Sequence, residues 1–382
     1  MSVLKNRAVL RWLVPVTAGV AVIGGGAAVG TFAATADPAL PPRTAAQLLD
    51  DLRTSRLDGL SGTVVQRADL GLPPLANLAG MAGGEGGLAG LVSGTHTVRV
   101  WYAGPERQRL ALLDTLGESD VLRNGRDVWT WSSRSNTGSH RTLPAGEAGM
   151  PTAPATPADA ADRALAAIDP STAVTVGRAA TVAGRDVYEL VLTPRDKDSL
   201  VHQVRIALDA KEHVPLRFEV LADGVDEPAF EVAFTQVDFR TPDADQFRFN
   251  PPPGVTMTEA STEAHGPAGK HRPDADKRPD GVRTVGTGWT TVLVARLDET
   301  GLTGADGTAR EPGRGGPTAG TGRGGPAGAD LAGMLTVLPK VSGDWGSGRL
   351  LSSKLFSVLL TDDGRVLAGL VSPERLYQVA KG

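Results

Sequence analysis

The sequence predicts an α+β protein dominated by antiparallel sheet, with a larger first unit and a smaller second one. Three observations carry that reading. From Ser61 to about Asn250 the chain is a succession of short Val-, Leu-, Thr- and aromatic-bearing segments. They are separated by turn dipeptides such as Asn124-Gly125, Ala183-Gly184 and Asp223-Gly224. Within several segments apolar and charged residues alternate: Val204 and Ile206 against Gln203 and Arg205, Phe218 and Val220 against Arg217 and Glu219. Such period-two patterning marks a sheet with one buried and one wet face. Finally, residues 260–282 are Pro- and charge-rich with no apolar period, and so read as a linker to a second unit at 283–382.

The elements follow in order. Lys5, Arg7 and Arg11 precede an uncharged run from Trp12 to Ala36 that ends in Ala34-Thr35-Ala36. Residues 1–36 therefore read as an export segment, either a cleaved signal peptide or a retained membrane anchor. The body is expected outside the cytoplasm, secreted or held at the outer face of the cytoplasmic membrane. The first domain is placed at 44–259. Leu48, Leu49, Leu52 and Leu57 recur at helical spacing from Thr44, and Asp58-Gly59 ends that helix. A strand follows over 61–69. Residues 70–94 carry Leu75, Leu78, Leu88 and Leu91 among many glycines, with Glu85 the single charge. That composition suits neither a solvated linker nor a core helix, and reads as a mobile apolar flap.

Strands are expected at 95–103, 107–114 and 119–133, the last folded at Asn124-Gly125. A helix over 157–168 has Thr156 as N-cap, Pro157 at its first position and Asp169-Pro170 as its stop. Strands resume over 173–194, 201–209, 215–223 and 229–239. The tally is about nine or ten antiparallel strands in chain order with two helices. In the second unit, strands are expected at 287–297, 350–360 and 365–371, with Asp362-Asp363-Gly364 as a hairpin turn. Helices are expected at 330–341 and from Ser372-Pro373 to about Ala380, and residues 304–329 as an unstructured Gly-rich loop. A unit this small is expected to dock on the first.

Motifs for chemistry are missing. With no cysteine, disulfide scaffolds, thiolate metal sites, a cysteine nucleophile and a lipidated cysteine are all excluded. A net charge of −4 does not favour nucleic acid. No zincin, nucleophile-elbow, P-loop or EF-hand pattern occurs. Gly320, Gly322 and Gly325 mimic a dinucleotide fingerprint only inside a glycine tract with no strand before it. The six histidines are scattered, and His202 reads as a half-buried core residue beside Val204 and Ile206. Arg107, Arg109, Arg123 and Arg126 read as residues of the wet face. The expectation is a protein without catalytic residues, cofactor or metal.

What remains is shape. A wide sheet with one apolar face needs cover, and two short helices are a thin lid for it. If the sheet curls, its concave side becomes a cavity suited to lipid or acyl chains. Candidate lining residues are Val98, Val100, Leu110 and Leu112 on the early strands, with Trp129 and Trp131 beyond them. On the later strands they are Val204, Ile206, Phe218 and Val220, then Phe230, Val232 and Phe234. The plainer alternative is that these residues form a dry core. The apolar flap favours the cavity, since such an insert suits a gate better than packing.

The helix at 44–57, the strand SGTVVQ, and the segments THTVRVWYAGPERQRLAL, DVLRNGRDVWTW, GRDVYELVLTP and IALDAKEHVPLRFEV resemble, in that order, the LolA/LppX half-barrel proteins of the actinobacterial type. The resemblance covers residues 44–250. It implies an incomplete antiparallel barrel of about eleven strands closed by helices. It also implies an exported carrier that shelters acyl chains of a lipid or lipoprotein without catalysis, with an ABC transporter as a possible partner. The two-unit plan is similar to the MucB/RseB proteins, where the first domain binds a lipid signal and the second holds a membrane anti-sigma factor. That likeness implies the alternative role of an extracytoplasmic sensor.

Overall fold

Thr44 starts the N-terminal helix, Ala45–Thr54, through a reciprocal cap. Its side-chain oxygen accepts from the Gln47 N–H at 3.2 Å, while the Gln47 side chain accepts from the Thr44 N–H at 2.8 Å. The computed structural model describes residues 38–72, 93–114, 117–144, 169–259, 282–296 and 338–382. The expected helix at 157–168, the flap leucines 75, 78, 88 and 91, and the export segment lie outside them. The N-terminal helix ends at Thr54, about a turn short of the expected Leu57, because Ser55 turns extended. Leu57 instead packs beside Leu60 and Val64.

Thirteen strands form the first sheet. They are β1 (Leu60–Asp69), β2 (Ser93–Tyr102), β3 (Arg107–Asp114), β4 (Gly117–Asn124), β5 (Asp127–Ser132), β6 (Thr137–Thr142) and β7 (Thr172–Val176). The others are β8 (Ala180–Val182), β9 (Arg185–Pro194), β10 (Val201–Asp209), β11 (Pro215–Ala222), β12 (Pro228–Asp238) and β13 (Thr256–Glu259). Their spatial order is β13-β6-β5-β4-β3-β2-β1-β12-β11-β10-β9-β7, with β8 also on β9. The ends of this order, β13 and β7, do not pair, so the sheet is open.

The order corrects the expected in-line meander. Strand β1 lies at the centre, with Val64 opposite Val98 on one side and opposite Phe234 on the other. Hairpin turns specify neighbours along the chain, but nothing local specifies the long-range β1–β12 pair. Two strands were not anticipated, β6 (TGSHRT) and β13 (TMTE). Neither has the apolar alternation that signals a strand, and β13 joins β6 in parallel. Gly177 splits the expected strand at 173–182 into β7 and β8, both paired with β9.

The second sheet holds β14 (Val282–Val285), β15 (Val292–Arg296), β16 (Lys340–Gly343), β17 (Gly346–Ser352), β18 (Ser357–Thr361) and β19 (Arg365–Gly369). Its order is β14-β15-β19-β18-β17-β16. The C-terminal helix Pro373–Lys381 lays Leu376, Val379 and Ala380 against Val292, Val294, Leu359 and Leu367. The expected strand at 287–297 begins as a 3-10 turn at Gly288–Thr290. The expected strand at 350–360 is broken by a turn at Ser353–Phe356, where the Ser353 hydroxyl donates to the Phe356 carbonyl and accepts from the Leu355 and Phe356 N–H groups. Lys340 and Val341, at the end of the expected helix, are in β16 instead.

The two sheets share a core. Trp289, Leu355 and Leu370 are buried in the same cluster as Leu190, Ile206 and Phe230. The Trp289 Nε1–H donates to Thr172 Oγ1 at 2.9 Å, and the Leu200 N–H donates to the Leu370 carbonyl at 2.9 Å. On the other side, Lys354 donates its backbone N–H to Leu70 (2.7 Å) and its Nζ to Asp69 Oδ2 (2.7 Å). The ammonium holds the Asp69 carboxyl below its usual range.

Candidate functional site

Register makes one face of the first sheet mainly apolar, interrupted by Gln66 and His96. From β1 outward to β3, Val64 faces Val98, Val98 faces Leu112, and Val100 faces Leu110. In the other direction Ala68 faces Phe230 and Val64 faces Phe234. Phe230 then faces Val220, and Val232 faces Phe218. Val220 faces Val204 and Phe218 faces Ile206. Paired residues of an antiparallel ladder lie on one side, so these side chains form a single surface from β3 to β9. The Phe218 and Phe230 rings meet edge-on at 6.5 Å.

Among the described residues, cover over this face is uneven. At the β9–β12 end, Leu48 and Leu52 of the N-terminal helix and the second sheet's Trp289, Leu355 and Leu370 complete a buried cluster. Tyr188 is anchored there by donating its hydroxyl proton to the Pro41 carbonyl, 2.9 Å away. At the β2–β4 end Val98 and Val100 are buried, whereas Leu110, Leu112 and Val121 are only half-buried. Gln66 is fully buried in the middle of the face, opposite Val232 and His96.

Trp129 and Trp131 are on the other side. Trp129 faces Leu122 and Trp131 faces Asp120, and that register continues to Arg109 and Ala111 rather than to Leu110. A line through Leu110 and Val121 reaches Thr130, not either tryptophan. The thirteen candidate lining residues thus divide: eleven share the apolar face, and the two tryptophans do not. The tryptophan side has cover of its own, since Trp129 stacks on Phe249 at 6.2 Å and Phe247 is buried.

The tryptophan side is rich in charge. Arg109 pairs with Asp120 at 2.6 Å and lies 5.1 Å over the Trp101 ring. Burial, then the neighbouring Asp120 carboxylate, pushes the Glu118 carboxyl up. Further along the same side, Arg67 pairs with Glu231, and Arg217 with both Glu189 and Glu219. Burial raises the Glu219 carboxyl against the attraction of Arg217. Of the arginines expected to be wet, Arg123 is instead buried, on the register of Val128 and Gln108. His202, expected half-buried, is exposed near Asp223, because the β10 register is irregular between Val201 and Gln203.

His140 went unnoticed as one of several scattered histidines. It stands between two carboxylates, Asp127 and Glu259, at 3.0 and 2.8 Å. No sequence spacing signals such a group, because its partners are brought in from β5 and β13. Among the described residues, no cluster of histidine and acidic side chains could hold a metal ion. Nor is any described helix long and apolar enough to cross a membrane.

Comparison with known families matches residues 89–253 to the MucB/RseB N-terminal domain. The likeness read from the sequence is therefore met over those residues. Comparison with the curated proteins finds no match. Among solved structures, MucB crystallised with the periplasmic part of MucA is 15% identical, covering 88% of this chain and 97% of that one, with a TM-score of 0.39. The MucA/MucB complex of Pseudomonas aeruginosa is 17% identical over 88% of this chain and 95% of the other (TM-score 0.38). A LolA superfamily protein from Nitrosomonas europaea is 14% identical over 55% of this chain and 99% of its own (TM-score 0.21).

Proposed function

We propose that this chain, whose residues 89–253 match the MucB/RseB N-terminal domain, is an exported, non-enzymatic protein that shelters acyl chains of a lipid or lipoprotein against the apolar face of its first sheet. The observation that carries the reading is the uneven cover of that face. Leu110, Leu112 and Val121 continue the buried surface of Val98 and Val100 yet remain half-buried, which leaves apolar area for a guest. Each methylene moved there from water gains about 0.8 kcal/mol before the costs of ordering. On this reading the half-barrel is closed by helices, and the two tryptophans of β5 support the sheet from behind rather than touch the guest.

A regulatory role is the second reading, favoured by the joint between the sheets. The second sheet inserts Trp289, Leu355 and Leu370 into the cluster that forms one end of the apolar face. A guest that rearranged that end would change how residues 283–382 are held, and with it their grip on a membrane anti-sigma factor. A carrier would instead hand its cargo to a partner, such as an ABC transporter.

The test is to purify the exported chain from its own host and extract it with organic solvent. Copurifying acyl lipid is expected, together with its loss in a Leu110→Glu/Leu112→Glu variant of unchanged circular dichroism. A clean extract from the unaltered protein would overturn the sheltering role. Capture of an anti-sigma factor that disappears when 283–382 are deleted would favour the sensor over the carrier.

A further inference from the structure

Strand β13 is an unusual addition to the first sheet. It is four residues long, exposed throughout, and the parallel partner of the edge strand β6. Three residues of β6 and the turn before it receive it. Asn136 Nδ2 donates to the Gly254 carbonyl at 2.9 Å, and the Thr258 hydroxyl donates to the Gly138 carbonyl at 3.2 Å. Gly138 lies against Met257, close enough that a Cβ there would fall 2.6 Å from the Met257 sulfur. The last contact is His140 with Glu259, the final residue of the strand.

The geometry around His140 sets its proton count. Nδ1 is 2.8 Å from Glu259 Oε2, and Nε2 is 3.0 Å from Asp127 Oδ1. A neutral imidazole has one N–H and would turn a lone pair toward one of the carboxylates. Only the imidazolium donates to both. Its ring also stacks on Trp129 at 5.0 Å and 22°, an arrangement that favours a cation. Asp127 on β5 and Glu259 on β13 are the charged groups that face it. Thr142 shares Asp127 Oδ1, and Arg248, near the stacked Phe249, is paired with Asp245.

We propose that His140 is a proton-operated clasp that fastens residues 256–259 to the edge of the first sheet. Charged, it ties β13 to β6 and β5 at once. Neutral, it lets Glu259 go, and Glu259 is 80% exposed and so meets water at little cost. The consequence is mechanical. Closed, the first sheet holds the chain as far as Glu259, and the connection to β14 starts there. Open, the connection lengthens by a strand, and β6 becomes a free edge able to accept another strand.

The sign follows from the surroundings. Burial acts to lower the His140 value, but Glu259 and Asp127 outweigh it and hold it above the usual 6.5. The clasp is therefore closed below about 6.5 and opens as pH rises through the higher folded value.

Two measurements on the full chain test this. In an NMR titration, the His140 ring proton, assigned by its disappearance in His140→Gln, should have a midpoint above 6.5 that falls in Glu259→Gln. Hydrogen exchange of the 256–259 amides, corrected for the intrinsic pH dependence, should lose roughly fivefold protection between pH 6 and pH 9. In His140→Gln that protection should be low and independent of pH. A midpoint at or below 6.5, or an equal loss of protection in both proteins, overturns the clasp. Because Glu259→Gln removes only an exposed carboxylate, it keeps the test open if His140→Gln folds poorly.

Discussion

Replacing Trp289 with alanine would remove the side chain through which the second sheet enters the core of the first. The indole is only 4% exposed. Burying a side chain of this kind takes about 150–250 Å² out of water. At about 25 cal/mol per Å², that is roughly 4–6 kcal/mol, an upper figure because the unfolded chain is already partly collapsed. Measured Trp or Phe to Ala substitutions in cores cost about 3–5 kcal/mol. The bond from Nε1 to Thr172 is lost as well, and Thr172 is itself buried, so its hydroxyl is left without that donor. About 3–4 kcal/mol is therefore expected, and it falls on the joint. Urea unfolding followed by far-UV circular dichroism and by fluorescence should show a lower midpoint. The two traces should also separate, as the second sheet releases before the first. Trp289→Phe, which keeps most of the apolar volume, should lose about 1–2 kcal/mol and keep the traces together. A loss below about 1 kcal/mol in Trp289→Ala would refute a shared core.

Other consequences can be checked separately. Asp209 is 1% exposed, and it accepts from Arg185 through both oxygens and from the Lys211 and Glu212 N–H groups in the β10–β11 turn. Burial raises its carboxyl, but Arg185 and the two backbone donors win and hold it below 3.8. The stability it contributes is complete above about pH 4 and is lost as pH falls through the lower folded value. Asp209→Ala should cost about 2–4 kcal/mol at pH 7 and flatten the acid limb of the stability profile; an unchanged acid limb would contradict this. Gly138→Ala would put a Cβ 2.6 Å from the Met257 sulfur and 2.9 Å from the Thr130 carbonyl oxygen. A loss of about 1–3 kcal/mol is expected, partly relieved by Met257→Ala, and denaturant melts of both variants would detect it. If the double variant is no better than the single one, β13 is not seated on Gly138 as described.

Much of the local structure was legible without coordinates, because its causes are local. The helix start at Thr44, the Asn124-Gly125 and Ala183-Gly184 turns and Pro373 at the start of the last helix all act over a few residues, whereas the wet face expected of β11 is overridden at Glu219, which is buried. Each of those local signals is where the sequence puts it. Eleven of the candidate lining residues fall on one face for the same reason: a period of two keeps them in phase along each strand. Trp129 and Trp131 fall on the opposite face because phase between strands depends on register. Val121, not Leu122, faces Leu110, so the aromatic pair of β5 turns to the other side. Aromatic character alone does not say which side.

What the sequence determined by itself, then, is a chain without cysteine, built of strands with one apolar face. Only the tertiary structure decided that β1 sits between the two halves of the sheet, that Trp289 belongs to the core of the first sheet, and that His140 lies between Asp127 and Glu259. The physical reason is the same in each case. These contacts join residues far apart in the chain, and their energy depends on burial and charge that do not exist until the sheet has formed. A histidine in TGSHRT is unremarkable until a strand more than a hundred residues later brings it a second carboxylate.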